Sequence, residues 1–222
     1  MPNLLYAGLI AEGSTDYTFF QPVLEKILIE CAYECTGDID INVVEVKCFK
    51  GENFQEYVEN GRKIGVTDYG LSLLIVHSDA DSPSLENVLQ YKFQPILDKI
   101  ENDDPNELCQ YISPLIPIHE TEAWMLADKT LLKKIIGTNK TDAELNINGN
   151  PETFTDPKLR IEDAIRIGRQ DLPKKLRNQL TISDLYSPIG QALQIDRLQN
   201  YESFIAFRAS IINILKELNL IH

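Results

Sequence analysis

The segment 71–79, LSLLIVHSD, carries four large aliphatic residues in a row with no polar residue between them. A strand that does not alternate buries both of its faces, so it belongs inside a parallel sheet covered by helices on either side. The run ends at Asp79-Ala80-Asp81, two carboxylates one residue apart where buried backbone gives way to loop. That ending raises the question of function at once.

The neighbouring segments repeat the pattern. NLLYAGLIAEG places a strand at about 4–11, INVVEVKCFKG a second, and CQYISPLIPIH a fourth, in which Pro114 and Pro117 point to an edge or an irregular end. Between them lie helical stretches. STDYTFFQPVLEKILIECAYEC has Phe20, Leu24, Ile27, Leu28 and Cys31 on one face, with Pro22 tolerated near its start. NFQEYVENGRKIGVTDYG reads as a polar helix and loop, SLENVLQYKFQPILDKIENDD as a long helix kinked at Pro95, and ETEAWMLADKTLLKKIIG as a further helix. Strands alternating with helices predict an α/β fold with a central, mostly parallel four-stranded sheet flanked by helices.

Residues 1–137 form the α/β domain on this reading. Residues 138–222 form a polar surface loop over 138–157 and then a helical C-terminal extension that packs on the first part. In its last helix Phe204, Phe207, Ile211, Ile214, Leu215 and Leu218 make the apolar stripe.

The chain has 222 residues, 43% of them hydrophobic, and a formal net charge of −13. No apolar run reaches the roughly 18–20 residues that span a membrane, and the N-terminal segment lacks a basic start, so the expectation is a cytoplasmic protein with no membrane partner. Charge of this sign disfavours broad nucleic-acid binding, because cations facing phosphates supply most non-specific affinity. It leaves room for a local site where metal ions mask the charge, and for a basic partner. Cys31, Cys35, Cys48 and Cys109 follow no metal-ligand spacing and read as reduced thiols.

Ligands of a parallel sheet sit beyond the carboxyl ends of its strands. Three such ends carry acids here: Glu12 and Asp16 after the first strand, Asp79 and Asp81 after the third, Glu120 and Glu122 after the fourth. Adjacent strands stand about 4.8 Å apart, so these carboxylates fall on one edge and repel one another unless a cation neutralises them. Oxygen-only ligands select Mg²⁺ or Mn²⁺ over zinc. The plainer alternatives are a helix cap for an Asp of the DAD, N-capping for Ser14 and Thr15, and first-turn acids for Asp16, Glu120 and Glu122, with His77 and His119 structural and Lys50 a solvated loop residue.

The ordered set EGSTD, DAD and ETEAW resembles the TOPRIM domain, and HETEAWMLAD followed by DPK resembles an RloG-like, TOPRIM-related family allied to OLD-family nucleases. The resemblance implies a TOPRIM/Rossmann-like fold. It implies that Glu12 acts as general acid or base or metal ligand, that Asp79 and Asp81 form the metal-binding Asp-x-Asp, and that Glu120 and Glu122 serve a second metal or the substrate. Ser82-Pro83 stands where many TOPRIM chains have glycine. The implied activity is a Mg²⁺- or Mn²⁺-dependent phosphodiester hydrolase, a nuclease, acting on DNA rather than RNA, with an ABC- or SMC-like ATPase as partner in bacterial defence. Two readings stay open beside it: a non-catalytic regulatory subunit of an ATPase complex, and a hydrolase of nucleotides or small phosphates. The oligomeric state is not readable.

Overall fold

The structure is a computed structural model that describes residues 3–100 and 102–221. Four strands, β1 (Asn3–Ile10), β2 (Ile39–Glu45), β3 (Leu73–His77) and β4 (Ile112–Leu115), form one sheet in the order β2-β1-β3-β4. Every pairing is parallel. β3 is central and β4 lies at the edge, where Pro114 costs no inner ladder bond.

The side chains of β3 divide between two cores. Leu73 and Ile75 enter one cluster, Leu74 and Val76 the other, and all four are fully buried. This is the period-two alternation of a strand with apolar matter on both sides. Gly8 of β1 is required by closeness: a Cβ there would stand 2.2 Å from Leu71 Cδ1 and 2.6 Å from Val46 Cγ2.

The first face is covered by α1 (Ser14–Ala32) and by the C-terminal helices. Phe20, Leu24, Ile27, Leu28 and Cys31 of α1 point inward as their spacing requires, joined by Phe19 and Val23. The second face is covered by α2 (Phe54–Ile64) and a broken helix comprising α3 (Glu86–Val88), a π turn (Leu89–Phe93) and α4 (Gln94–Ile100). The expected kink at Pro95 takes the form of that π turn. Proline lacks an amide hydrogen and crowds the carbonyl four residues back, so the chain widens just before it. Glu101 lies outside the described residues. The helix expected across ETEAWMLADKTLLKKIIG is two helices, α5 (Glu122–Met125) and α6 (Lys129–Ile136), because Asp128 caps the second through Leu131 N at 2.9 Å.

The segment 138–157 is the irregular, largely exposed loop expected, but it is also anchored in the core. Leu145 and Ile147 are fully buried, and Pro151, Glu152 and Phe154 are buried as well. Its apolar residues recur without a helical or strand period, which hid them in a polar stretch. Glu152 does structural work at the start of α10 (Glu202–Glu217): its carboxylate accepts from Glu202 N at 2.7 Å and from Ser203 N at 3.0 Å. A helix start exposes free amide hydrogens and partial positive charge, and a buried carboxylate satisfies both. Trp124 Nε1 donates to Ser203 Oγ at 2.7 Å, tying α5 to the same point.

The remaining helices are α7 (Pro157–Gly168), α8 (Lys174–Arg177) and α9 (Tyr186–Ala192). α9 lies so close to α1 that a Cβ on Gly190 would meet Phe19 O at 2.5 Å. Lys26 reaches the end of α9 and donates to the carbonyls of Gly190, Gln191 and Leu193 at 2.6–3.0 Å. Among the described residues, no helix is long and apolar enough to cross a membrane.

Candidate functional site

β3 ends in His77, which is fully buried under the aromatic ring of Phe20, with ring centroids 4.9 Å apart. Two residues later Asp79 turns back toward it. Asp79 Oδ1 receives the backbone amide of Thr121 at 2.8 Å and its hydroxyl at 3.3 Å, and lies 3.3 Å from His77 Nε2. Thr121 Oγ1 stands 3.1 Å from the same ring nitrogen. Groups from two strand exits thus fix one carboxylate oxygen. The other ring nitrogen, His77 Nδ1, is buried without a hydrogen-bond partner among the described residues, 4.0 Å from Asp16 Oδ2.

Asp16 sits in the first turn of α1, where Gly13 N donates to it at 3.0 Å. Burial pushes its carboxyl above the ordinary range, and Asp79 adds to the rise while His77 opposes it. Glu120 and Glu122 flank Thr121. Glu120 is pushed up by burial and then by Glu122, with Asp156 and Asp79 adding smaller rises. Glu122 is buried, accepts a short hydrogen bond from Tyr186 Oη, and is pushed up by burial first and then by Asp79. His77 loses basicity through burial, yet the Asp79 hydrogen bond and the charges of Asp79, Asp16 and Glu12 outweigh that and raise it. Asp16, Glu120 and Glu122 therefore form a group around Asp79, whose charge acts on all three.

Glu12 belongs to a different neighbourhood. Ser78 Oγ donates to Glu12 Oε1 at 2.8 Å, and Lys92 Nζ donates to Ser78 Oγ at 2.7 Å and stands 3.7 Å from the glutamate. Lys50 Nζ donates to Glu12 O at 2.6 Å. A small cleft of about 240 Å³ opens beside Glu12, lined by Gly13, Ser14, Lys47, Lys50 and Tyr57 among others.

Asp81 stands apart. Its φ of 51° and that of His119, 62°, lie in the left-handed region. The two backbones lock together through Asp81 N to His119 O at 2.9 Å and His119 N to Ser82 O at 3.1 Å. Left-handed aspartate and histidine are tolerated where a tight junction holds them. The Asp81 side chain is left exposed, and it is not among the charges that perturb Asp16, Glu120 or Glu122.

Of the six strand-end acids singled out in the sequence, Asp79, Glu120 and Glu122 come together, Glu12 joins through Ser78 on the adjoining side, and Asp81 faces solvent. Asp16 completes the group. Thr121, Lys92 and Tyr186 were not anticipated. Thr121 lay in plain view within HETEAW, whereas nothing local marks a mid-helix lysine or a tyrosine 64 residues from its partner.

Among the described residues, no group of three or more His, Cys, Asp or Glu side chains is placed to hold a metal ion as it stands. The donor chemistry still fits a hard divalent ion. Asp16, Glu120 and Glu122 in this group are held at raised proton affinity by burial and neighbouring charge, and such carboxylates gain when a cation replaces the proton.

No curated protein and no solved structure matches the chain. One family model does match, over residues 11–194, a span that takes in every residue of the site. The chain belongs to that family, DUF4276, a domain of unknown function.

Proposed function

We propose that the chain is a divalent-metal-dependent phosphodiester hydrolase, a nuclease of TOPRIM type. One observation carries the reading: acids from three strand exits gather around Asp79 at the carboxyl edge of the sheet, with lysines beside Glu12 next to them. Parallel sheets bind their ligands at that edge. Asp16, Asp79, Glu120 and Glu122 are the residues that would hold Mg²⁺ or Mn²⁺, with Asp16 in the place first expected of Asp81. A bound ion of that kind polarises a phosphoryl oxygen and lowers the pKa of an attacking water.

The chain's own residues do the rest. Thr121 and His77 fix one oxygen of Asp79 and so hold its carboxylate in one orientation. Glu12, half-exposed and hydrogen-bonded to Ser78, is placed to take or return a proton at the substrate. Lys92 and Lys50 offset phosphate charge on the Glu12 side, where the start of α1 also favours an anion. The bacterial-defence setting and the ABC- or SMC-like ATPase partner belong to this reading through the TOPRIM resemblance. The net charge of −13 supports a basic partner surface.

The test is a cleavage assay on plasmid, single-stranded DNA and RNA with Mg²⁺, Mn²⁺ or EDTA, beside the Asp79→Asn variant. Products that need the ion and vanish in the variant support the reading. Cleavage that survives Asp79→Asn unchanged refutes it.

A further inference from the structure

The chain is acidic as a whole, yet one stretch runs the other way. Residues 157–180 hold seven basic side chains against three acidic ones. Much of this charge converges on a cleft of about 680 Å³ between α7 and α8, lined by Arg166, Arg169, Lys174 and Arg177, with Glu162 as the one acid on its wall. Arg166 is paired with Asp163 at 2.8 Å. Arg169 donates to Ile136 O at 3.1 Å and to Leu176 O at 2.7 Å, which fixes its plane, and its Nε is buried with no partner among the described residues. Lys174 and Arg177 are exposed. Gln170, Asn178 and Thr181 add neutral hydrogen-bonding groups.

The cleft is connected to the strand-end site by one helix face. Lys158, Glu162, Arg166 and Arg169 recur at spacings of four, four and three, which is one stripe of α7. At the near end of that stripe, Lys158 N donates to Glu120 Oε2 at 3.4 Å. From Lys158 to Arg169 the helix rises roughly 16 Å at about 1.5 Å per residue. That distance matches about five phosphates along one strand of a duplex, at about 3.4 Å each.

We propose that the α7–α8 cleft binds the phosphodiester backbone of a nucleic acid and presents the strand to the acids at the sheet edge. A regularly spaced polyanion can engage the cleft and the α7 stripe at once. Local cations near a fixed guanidinium let an otherwise acidic chain do this, since binding depends on the charges that face the phosphates. The proposal deepens the hydrolase reading and rests on it for what happens to the strand, whereas the binding itself is measured without chemistry.

The experiment is fluorescence anisotropy of short labelled duplex and single-stranded oligonucleotides with the full chain, in EDTA, across a salt series. Lys174→Gln with Arg177→Gln is compared with a control pair, Lys99→Gln with Lys216→Gln, which removes the same charge from exposed helix positions elsewhere. Circular dichroism checks that all three proteins are folded. The cleft pair is expected to bind at least tenfold more weakly, with the slope of log K against log salt shallower by about two, roughly 0.9 for each phosphate left without its cation. The control pair is expected to stay within about twofold of the wild type. No binding by the wild type at low salt, an unchanged slope in the cleft pair, or equal weakening in both pairs overturns the proposal. Binding in EDTA by a chain that cleaves nothing with Mg²⁺ or Mn²⁺ supports the cleft and refutes the hydrolase reading alone.

Discussion

The two halves of the strand-end site interleave in sequence, Glu12 beside Asp16 and Ser78 beside Asp79, and are opposite in electrostatics. Around Asp79 the acids are desolvated, and the nearest compensating group is the buried His77 ring. Around Glu12 the carboxylate is half-exposed and hydrogen-bonded to Ser78, with Lys92 and Lys50 at hand. The first half is short of positive charge, with Lys158 drawing Glu122 down only as a lesser influence, and the second can spare some. An arrangement of this kind suits a ligand that brings cation and phosphate together. It also shows why counting acids at a sheet edge is not enough: Glu12 and Asp79 are both carboxylates at strand ends, yet only one sits among its own kind.

The largest effect should come from removing charge at the centre of the acid half. Asp79→Asn keeps an oxygen for Thr121 but removes the charge that adds to the rise burial gives Asp16, Glu120 and Glu122. Calorimetric titration with Mn²⁺ is expected to show complete loss of binding, while thermal unfolding in EDTA stays at or above the wild type as repulsion is relieved. An unfolded variant would make Asp79 a structural cap instead. On the other half, Lys92→Met is expected to lower cleavage about tenfold to a hundredfold, toward the range seen when one preorganised group facing transition-state charge is lost. Equal activity would mean that Lys92 serves only Ser78 and Glu12.

Smaller again is Tyr186→Phe, which leaves the buried Glu122 carboxylate without its hydroxyl donor. Denaturant unfolding should show a loss of about 1–3 kcal/mol, the usual cost of stranding a buried acceptor. The same change should push Glu122 further upward, since Tyr186 is the largest influence holding it down.

The contrast between the halves was only partly legible in the sequence. The central strand was readable because LLIV has no polar interruption, and the edge strand because Pro114 cannot donate to a ladder. The edge that carries the acids followed from parallel topology. Which aspartate turns inward did not, because it depends on the left-handed φ of Asp81, set by its backbone lock to His119 across the two strand exits. Lys92 escaped notice because its approach to Ser78 depends on the π turn before Pro95. Tyr186 arrives from the C-terminal helices, whose seating on α1 turns on Gly190 and on apolar residues scattered through 138–157.

The gentlest perturbation is pH, and its sign separates the acid half from the rest of the chain. Asp16, Glu120, Glu122 and His77 all bind their protons more tightly in the folded chain than in the unfolded one. Without a divalent ion, their contribution to stability is fully present below the unfolded values and is lost as pH rises through the higher folded ones. The loss therefore begins above 3.8 for Asp16, above 4.5 for the two glutamates and above 6.5 for His77. Glu144 and Asp184 act oppositely. Their carboxyls are held below the ordinary range by the backbone amides and hydroxyls of Thr141 and Thr181, so what they contribute is lost as pH falls through those lowered values. Thermal scans in EDTA should accordingly show a melting temperature that falls from mildly acid to mildly alkaline pH, with a shallower fall in Asp79→Asn. Saturating Mn²⁺ should flatten or reverse the slope, because the ion binds the deprotonated carboxylates and competes with the proton for them. A wild-type profile that is flat in EDTA would mean that neither burial nor mutual charge raises the acids around Asp79, and the electrostatic difference between the two halves would fall; an equal fall in wild type and Asp79→Asn would leave burial alone as its cause.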